Sequence, residues 1–452
     1  MTLIKIILGL LGLGVVVFVH ELGHFLAARL VGIDVEAFSI GWGNPILKKK
    51  IGTVEYRLGM FPLGGYCKMR GENEFQEAWE KGQQGVSYTR GAYFAASPPR
   101  RILVAFAGPF FNLVFAVLAL SIIWGVGFEV NTLDNRIVLA SEIHPEEHYP
   151  ADDAGLKTGD RIVEINGKKT SYYHEVQENI AVNPEKPLLL IVERDGEKLP
   201  LEVTPSLDKS SGAGKIGVYF WTDPVIETVN PESPAALAGL SGGDRIESVN
   251  GRPISHSLDF LMELEEKPAV LALGFTRNGE KRQADLIPQY DDRGEANPGI
   301  VWASIQYRTP LLSPFAALTR GAAESWKTLV VSLRSLRLLF KGIDLTQAVS
   351  GPVRITYMMG DVAAEGFGQG FGAGVRSMAD FLALISIALC VMNLLPLPIL
   401  DGGMIVLFVI EMIRRKPINP RAAAVFQTLG AALIFGLMIL AVFGDILYLV
   451  RR

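Results

Sequence analysis

The residues best suited to chemistry stand together near the N-terminus: His20, Glu21 and His24. The two histidines are spaced i and i+4, so on a helix both imidazoles share one face, with Glu21 beside them. This H-E-x-x-H spacing offers two nitrogen ligands to zinc and a carboxylate able to take a proton from water. Between Ile6 and Ala28 these three are the only ionisable residues. The segment is otherwise apolar all round and long enough to cross a bilayer, which takes about 20 residues. Ionisable groups at that depth are costly and mark function by default. A two-histidine site also needs a third protein ligand, with the fourth position left open.

The candidate for that third ligand is nearly the whole chain away, in Asn393-Leu-Leu-Pro-Leu-Pro-Ile-Leu-Asp-Gly-Gly403. The surrounding apolar run, Phe381 to Ile413, is too long for one straight span and contains Pro396, Pro398, Gly402 and Gly403. Proline removes a helix donor and clashes with the preceding turn, so the helix should break here. Irregular backbone at membrane depth survives only where it is buried in protein or lines a watery cavity. Asp401 is therefore expected on a broken helix, facing something polar. Glu411, the other carboxylate of this run, lies near Arg414 and Arg415 and is expected to snorkel to the headgroups.

Four apolar segments must position these groups: Ile6–Ala28, Ile102–Phe128, the run from Phe381, and Ala422–Gly444. Each is long enough to span, and backbone satisfaction in lipid makes all four helical. Lys48, Lys49, Lys50, Arg57, Lys68, Arg70, Lys81, Arg90, Arg100 and Arg101 lie between the first two; Arg414, Arg415, Lys416 and Arg421 lie between the last two. The positive-inside rule makes both loops cytoplasmic and puts the termini and the large middle region outside. Arg451 and Arg452 sit on the disfavoured side. Arg29 is roughly 13 Å along a helix from His20, so the histidine cluster falls nearer the cytoplasmic end. A signal peptide at the N-terminus is not expected, because the apolar stretch runs past 20 residues and cleavage would discard the histidines.

The remaining composition narrows the field. The chain has 452 residues, enough for about three domains at ~150 residues each, and 49% are hydrophobic. A net charge of −4 gives no basic surface for nucleic acid. Cys67 and Cys390 are too few for a disulfide framework and read as small core-type side chains. Val54–Met69 mixes β-formers with Gly and Pro and suggests hairpin strands that dip toward the site. Glu72–Gln84 reads as a solvated polar surface segment. Phe315–Phe340, carrying Arg334 and Arg337, reads as an amphipathic helix on the outer membrane face or against the middle region. Gly366–Gly374 reads as a flexible approach to the third span.

The middle region contains an internal repeat. Ala154-Gly-Leu-Lys-Thr-Gly-Asp-Arg-Ile-Val-Glu-Ile-Asn-Gly167 recurs as Ala238-Gly-Leu-Ser-Gly-Gly-Asp-Arg-Ile-Glu-Ser-Val-Asn-Gly251, and Arg194-Asp-Gly-Glu-Lys198 recurs as Arg277-Asn-Gly-Glu-Lys281. A period of about 85 residues is domain-sized, not solenoid-sized. The string resembles PDZ domains of bacterial, protease-associated type, which bind extended peptides by adding a strand to a sheet edge.

His20-Glu-Leu-Gly-His24 together with Asn393-x-x-Pro-x-Pro-x-Leu-Asp-Gly402 resembles the site-2 protease family of intramembrane zinc metalloproteases, over essentially the whole chain. Phe106-Ala-Gly-Pro-Phe-Phe-Asn112 also resembles a family string, in which Gly108 and Asn112 would serve either a direct substrate role or close helix packing with an interhelical hydrogen bond. The expected fold is a polytopic α-helical membrane protein of four transmembrane helices with two inserted PDZ domains and a membrane-associated β-hairpin region. The expected divisions are 1–30 (first span), 31–101 (hairpin region), 102–128 (second span), 129–221 and 222–309 (PDZ domains), 310–379 (juxtamembrane helices), 380–413 (broken third span) and 414–452 (fourth span). The resemblance implies one catalytic zinc on His20, His24 and Asp401, Glu21 as general base and Asn393 as a hydrogen-bonding partner of the substrate backbone. An unpaired strand edge at Gly64, Gly65 and Tyr66 would clamp the substrate in extended form. The implied substrates are single-span proteins of a bacterial inner membrane, namely an anti-sigma factor of envelope stress signalling and remnant signal peptides. The PDZ pair would act as a size filter or hold peptide C-termini. A non-catalytic metal-binding scaffold with peptide-binding PDZ domains is the alternative, but it leaves Glu21 without a purpose, as does a metal transporter.

Overall fold

The computed structural model describes residues 2–72, 74, 77, 89–209, 211–291, 294–338 and 351–451. The chain divides into two compact units, Met1–Phe128 with Pro310–Arg452, and Glu129–Thr309.

The helical unit opens with α1, Thr2–Leu30. A hairpin follows: β1, Val35–Ile51, pairs antiparallel with β2, Val54–Met69. It starts well before the expected Val54, because β1 also carries apolar residues that are buried in the core, Val35, Ala37 and Phe38. The register shows more than a simple hairpin. Residues 37–40 face Glu55–Leu58 on one side and Gly65–Lys68 on the other. Among the described residues, the end of β2 is thus an outer strand with no strand paired to its second edge. Next comes α2, Pro98–Val126, entered by two prolines at its first positions, where no helical donor is lost. Phe25, Ala28, Phe38, Met69, Tyr93 and Val104 share one core around the C-terminal half of α1 and the N-terminal half of α2. Most of Glu72–Gln84 lies outside the described residues, but Glu72 itself is half-buried, and burial pushes its carboxyl up to about 7. The expectation of a fully solvated segment therefore fails at Glu72.

The repeat folds twice into the same four-stranded sheet. After β3, Glu129–Thr132, the first copy has β4 (Arg161–Ile165), β5 (Lys168–Lys169), helix α3 (Tyr173–Ala181), β6 (Leu188–Arg194) and β7 (Glu197–Val203), in the order β5-β4-β6-β7. The second has β8 (Arg245–Val249), β9 (Arg252–Pro253), helix α4 (Ser257–Glu265), β10 (Leu271–Arg277) and β11 (Glu280–Leu286), in the matching order. Finally β12, Ile305–Arg308, pairs back onto β3. The recurring strings have a common physical cause. Asp160 and Asp244, at 1% and 0% exposure, each accept two hydrogen bonds from the arginine of the later string, Arg194 at 2.7 Å and Arg277 at 2.6 Å. A buried carboxylate is tolerated only when paired and hydrogen-bonded in this way. Asn166 and Asn250 take φ of 49° and 52° in their Asn-Gly turns, and their side chains accept from the Leu189 and Ala272 amides.

The helical unit resumes with α5 (Pro314–Leu338), α6 (Pro352–Gly368), α7 (Phe371–Leu394), α8 (Asp401–Arg414) and α9 (Pro420–Arg451). Among the described residues, four helices meet the length and hydropathy needed to cross a membrane: Lys5–Leu30, Pro98–Val126, Phe371–Leu394 and Arg421–Ile446. The third starts earlier than Phe381 because its charges are accommodated: Arg376 pairs with Asp380 at i+4 and lies 3.9 Å over the Phe128 ring. The glycine run is helical rather than flexible. Only Gly370, at φ 127°, is unwound, and Gly366 packs on Gly374. Against expectation, α5 runs along α2, where Gly321 meets Ser121 and Val117 and Ala317 is buried; its small residues let two backbones approach. Residues 339–340 of that expected helix lie outside the described set. Glu411 does not snorkel. It accepts a 2.5 Å hydrogen bond from Arg101, whose side chain is 3% exposed and stacks over Phe408. Buried ions need partners more than they need a short path to water. Both cysteines are free.

The duplicated Arg–Asp pair yields a test. Burial alone would raise the Asp244 carboxyl, but Arg277 and the Ser241 amide outweigh it and hold it below its ordinary 3.8. Its stabilisation is thus present above the unfolded value and lost as pH falls below about 3.8. Arg277→Ala, leaving that carboxylate unpaired, should destabilise the second copy by about 3 kcal/mol in denaturant titrations at neutral pH. The variant should also lose this acid-side slope.

Candidate metal centre

The site forms where α1, α2 and the start of α8 meet beside the end of β2. The crossing of α1 and α2 is set by two glycines. A Cβ on Gly23 would fall on the Ala107 carbonyl, and one on Gly108 would fall on the His24 ring and lie 2.8 Å from His20 Cε1. Gly108 thus makes room for both imidazoles between the helices. His20 and His24 are 9% and 8% exposed, and their rings meet edge to face with centroids 4.8 Å apart. The α2 residues at positions 104, 108 and 112 form one stripe against them. Val104 C=O accepts from His24 Nδ1 at 2.8 Å, and the Asn112 amide lies 3.3 Å from His20 Nδ1.

Asp401 arrives from the break predicted by the prolines. Residues 395–400 leave α7, and α8 starts at Asp401. Ile399 within the break takes φ 78°, a left-handed conformation that is strained for a β-branched residue. Gly402 and Gly403 sit against the carbonyls of Leu394, Leu395 and Leu397, and Gly430 of α9 sits against Pro398. No larger residue fits at these contacts, so the break is packed rather than loose. Asp401 then stands in the first turn of α8, where unpaired amides favour a carboxylate.

The ligand geometry is compact. His20 Nε2 and His24 Nε2 lie 3.2 Å apart, and Asp401 Oδ2 and Oδ1 lie 3.2 and 3.5 Å from them. Among the described residues, His20, His24 and Asp401 form the one group that could hold a metal ion. With His24 Nδ1–H donating to Val104, its Nε2 carries a lone pair facing a second nitrogen and a carboxylate. Such donors repel unless a cation lies among them. Tetrahedral zinc with bonds near 2.0–2.1 Å spaces its ligands about 3.4 Å apart, close to what the side chains already adopt. The donor set therefore fits zinc.

The other expected residues distribute unevenly. Asn393 Nδ2 lies 3.4 Å from His20 Nε2, at the end of α7 beside the metal centre. Glu21 lies against the end of β2: Gly65 approaches its Cγ, and the Cys67 amide donates to its carboxylate. Gly64, at φ 95°, packs on Trp42 instead, and the Tyr66 hydroxyl accepts from Arg57 at 2.8 Å. Of the three strand residues, only Gly65 meets the metal-side machinery. Strand alternation turns Tyr66 away and puts Cys67 and Met69 on the site side. These two, with Glu72, Tyr93, Val104 and Ile399, line a cavity of about 510 Å³ that includes His24 and Asp401. Cys67, Glu72 and Val104 were missed because a backbone group or a wall position leaves no signature in residue type.

Two histidines and an aspartate able to hold a metal ion, set among apolar helices with a carboxylate beside them, are the donor set of a metallopeptidase. The chain belongs to peptidase family M50, the site-2 protease family, whose model matches residues 8–437. A relative from Treponema pallidum (strain Nichols) is 35% identical over 448 residues, covering 99% of this chain and 100% of that protein. The regulator of sigma-E protease RseP of Escherichia coli (strain K12) is 30% identical over 460 residues, covering 96% of this chain and 97% of its own. The regulator of sigma E protease of Haemophilus influenzae is 30% identical over 459 residues, covering 97% and 98%. The protein is thus a zinc-dependent intramembrane protease of a multi-pass inner-membrane type, acting on membrane proteins within the bilayer.

Gly108→Ala should drive the added methyl into the His24 ring. Metal analysis of the purified variant should show zinc content well below one per chain, with helix content by circular dichroism unchanged.

Proposed function

We propose that His20, His24 and Asp401 hold the catalytic zinc and that Glu21 is the general base. The observation carrying this reading is the convergence of three ligand atoms from α1 and α8 within 4.8 Å of one another. Bound zinc supplies Lewis acidity, which polarises a carbonyl and acidifies water. Glu21 takes the proton from the attacking water and later delivers it to the leaving amine, a role open to a carboxylate beside the metal ligands. Asn393, beside His20, hydrogen-bonds the substrate backbone and holds the scissile carbonyl toward the site.

A helical substrate shields its own peptide bonds, so it must unwind before attack. The free edge at the end of β2 is where an extended segment adds as a further strand. Gly65 gives the close approach to Glu21 there, with Gly64 and Tyr66 shaping the strand from its other face. The Cys67 amide, now on Glu21, is one donor such a strand would meet.

The substrates are single-span membrane proteins, an anti-sigma factor and remnant signal peptides among them. The two repeat copies, 129–221 and 222–309, are two PDZ domains. They and both termini face the periplasm, and the site lies toward the cytoplasmic side, as the lysine and arginine asymmetry supports. The pair acts as a size filter, while peptide C-termini are its weaker class of ligand. In the first copy, the groove between α3 and residues 214–219 is bridged by Tyr173, whose hydroxyl donates to the Val218 carbonyl at 2.9 Å. That bond takes an acceptor that an added peptide strand would use.

Glu21→Gln should keep its zinc yet cleave a single-span reporter in detergent at least about 100-fold more slowly. Full cleavage by this variant would remove Glu21 from the mechanism. Asp401→Ala should lose zinc and activity together; full zinc retention would remove Asp401 from the ligand set.

A further inference from the structure

His24 has its ring fixed by a main-chain carbonyl, but the support of His20 comes from a side chain whose role is unassigned. Asn112 is 0% exposed and projects from α2 at His20 Nδ1. Its position is over-determined: the Asn112 carbonyl accepts from Ser386 Oγ of α7 at 2.9 Å. Its side-chain oxygen is buried and has no hydrogen-bond partner among the described residues. An unpaired buried acceptor is costly and calls for an explanation.

The chemistry of His20 supplies one. For Nε2 to give its lone pair to zinc, the neutral ring must carry its proton on Nδ1. That Nδ1–H needs an acceptor, and the amide nitrogen facing it is not one. Turning the amide over exchanges two ends of nearly equal size, and the hydrogen-bond network decides which end faces which neighbour. With the oxygen toward His20, Nδ1–H gains its acceptor and the oxygen its donor, while the amide NH2 takes the place where the oxygen has no partner among the described residues.

We propose that Asn112 is a positioning residue for the zinc site, its side-chain oxygen accepting His20 Nδ1–H and so fixing the tautomer that presents Nε2 to the metal. It is the side-chain counterpart of the Val104 carbonyl, one stripe of α2 serving both histidines. The inference rests on the assignment of His20 as a ligand.

The test is zinc affinity of the purified full chain, measured by competition with a chromophoric chelator, for wild type, Asn112→Leu and Asn112→Asp. Leucine keeps the volume and removes the acceptor; aspartate keeps an acceptor and cannot donate. Asn112→Leu should bind zinc about 10- to 100-fold more weakly, the usual effect of losing a ligand's outer partner. Asn112→Asp should bind at least as tightly as wild type. The melting temperature of the metal-free forms should not follow this order, as it would if Asn112 served only to join helices. Wild-type affinity in Asn112→Leu overturns the proposal. So does weakened binding by Asn112→Asp, which would show that the side chain donates; this arm decides the matter even if the leucine variant fails to fold. Wild-type affinity unchanged by His20→Ala would instead sink the ligand assignment beneath it.

Discussion

Everything in the helical unit depends on how closely α1 can lie on α2. In an apolar environment helices gain little from burying apolar surface, so they associate by close packing and by satisfying polar groups. Gly23 and Gly108 do the first and thereby create the second. With no side chain at either crossing point, two imidazoles fit between the backbones and reach partners on the facing helix. A bulkier crossing would separate the helices and leave both rings without their outer hydrogen bonds.

The second half of the centre obeys the opposite requirement. Asp401 must reach the histidines from a helix that stops and restarts, and the freed backbone groups cannot be left to lipid. The break is held by Gly402, Gly403 and Gly430 against its carbonyls and Pro398, at the expense of one strained residue, Ile399. The far end of α8 is tied to the foot of α2 by the buried Arg101–Glu411 pair. The aspartate is thus presented by a short helix fixed at both ends.

Much of this was legible in the residues. The i, i+4 histidines, the proline-broken run and the lone Asp401 announced a site because ionisable groups in apolar segments have few other reasons to be there. The twin Asp and Arg of the repeat were visible as strings. What escaped was whatever depends on backbone or on a partner distant in sequence. The Cys67 amide and Val104 carbonyl are properties every residue has. Glu411 looked like a headgroup-seeking carboxylate because Arg101 is far away in the chain, although Arg414 is near. The glycines at 366–374 looked flexible because composition alone cannot separate a glycine that loosens a chain from one that lets two helices touch.

The pairing of β3 with β12 has a further consequence. Glu129 stands opposite Arg308, so the middle unit begins and ends on neighbouring strands. Neighbouring strands lie only about 4.8 Å apart. To the helices, an insertion of 129–309 is topologically equivalent to a short closed loop, whatever its length. The entropy of closing a loop grows only logarithmically with the residues inside it, and here the folded unit has already closed its own ends. The number of repeat copies is therefore nearly decoupled from the stability of the helical core. Copies could be added, lost or exchanged without refolding the helical unit.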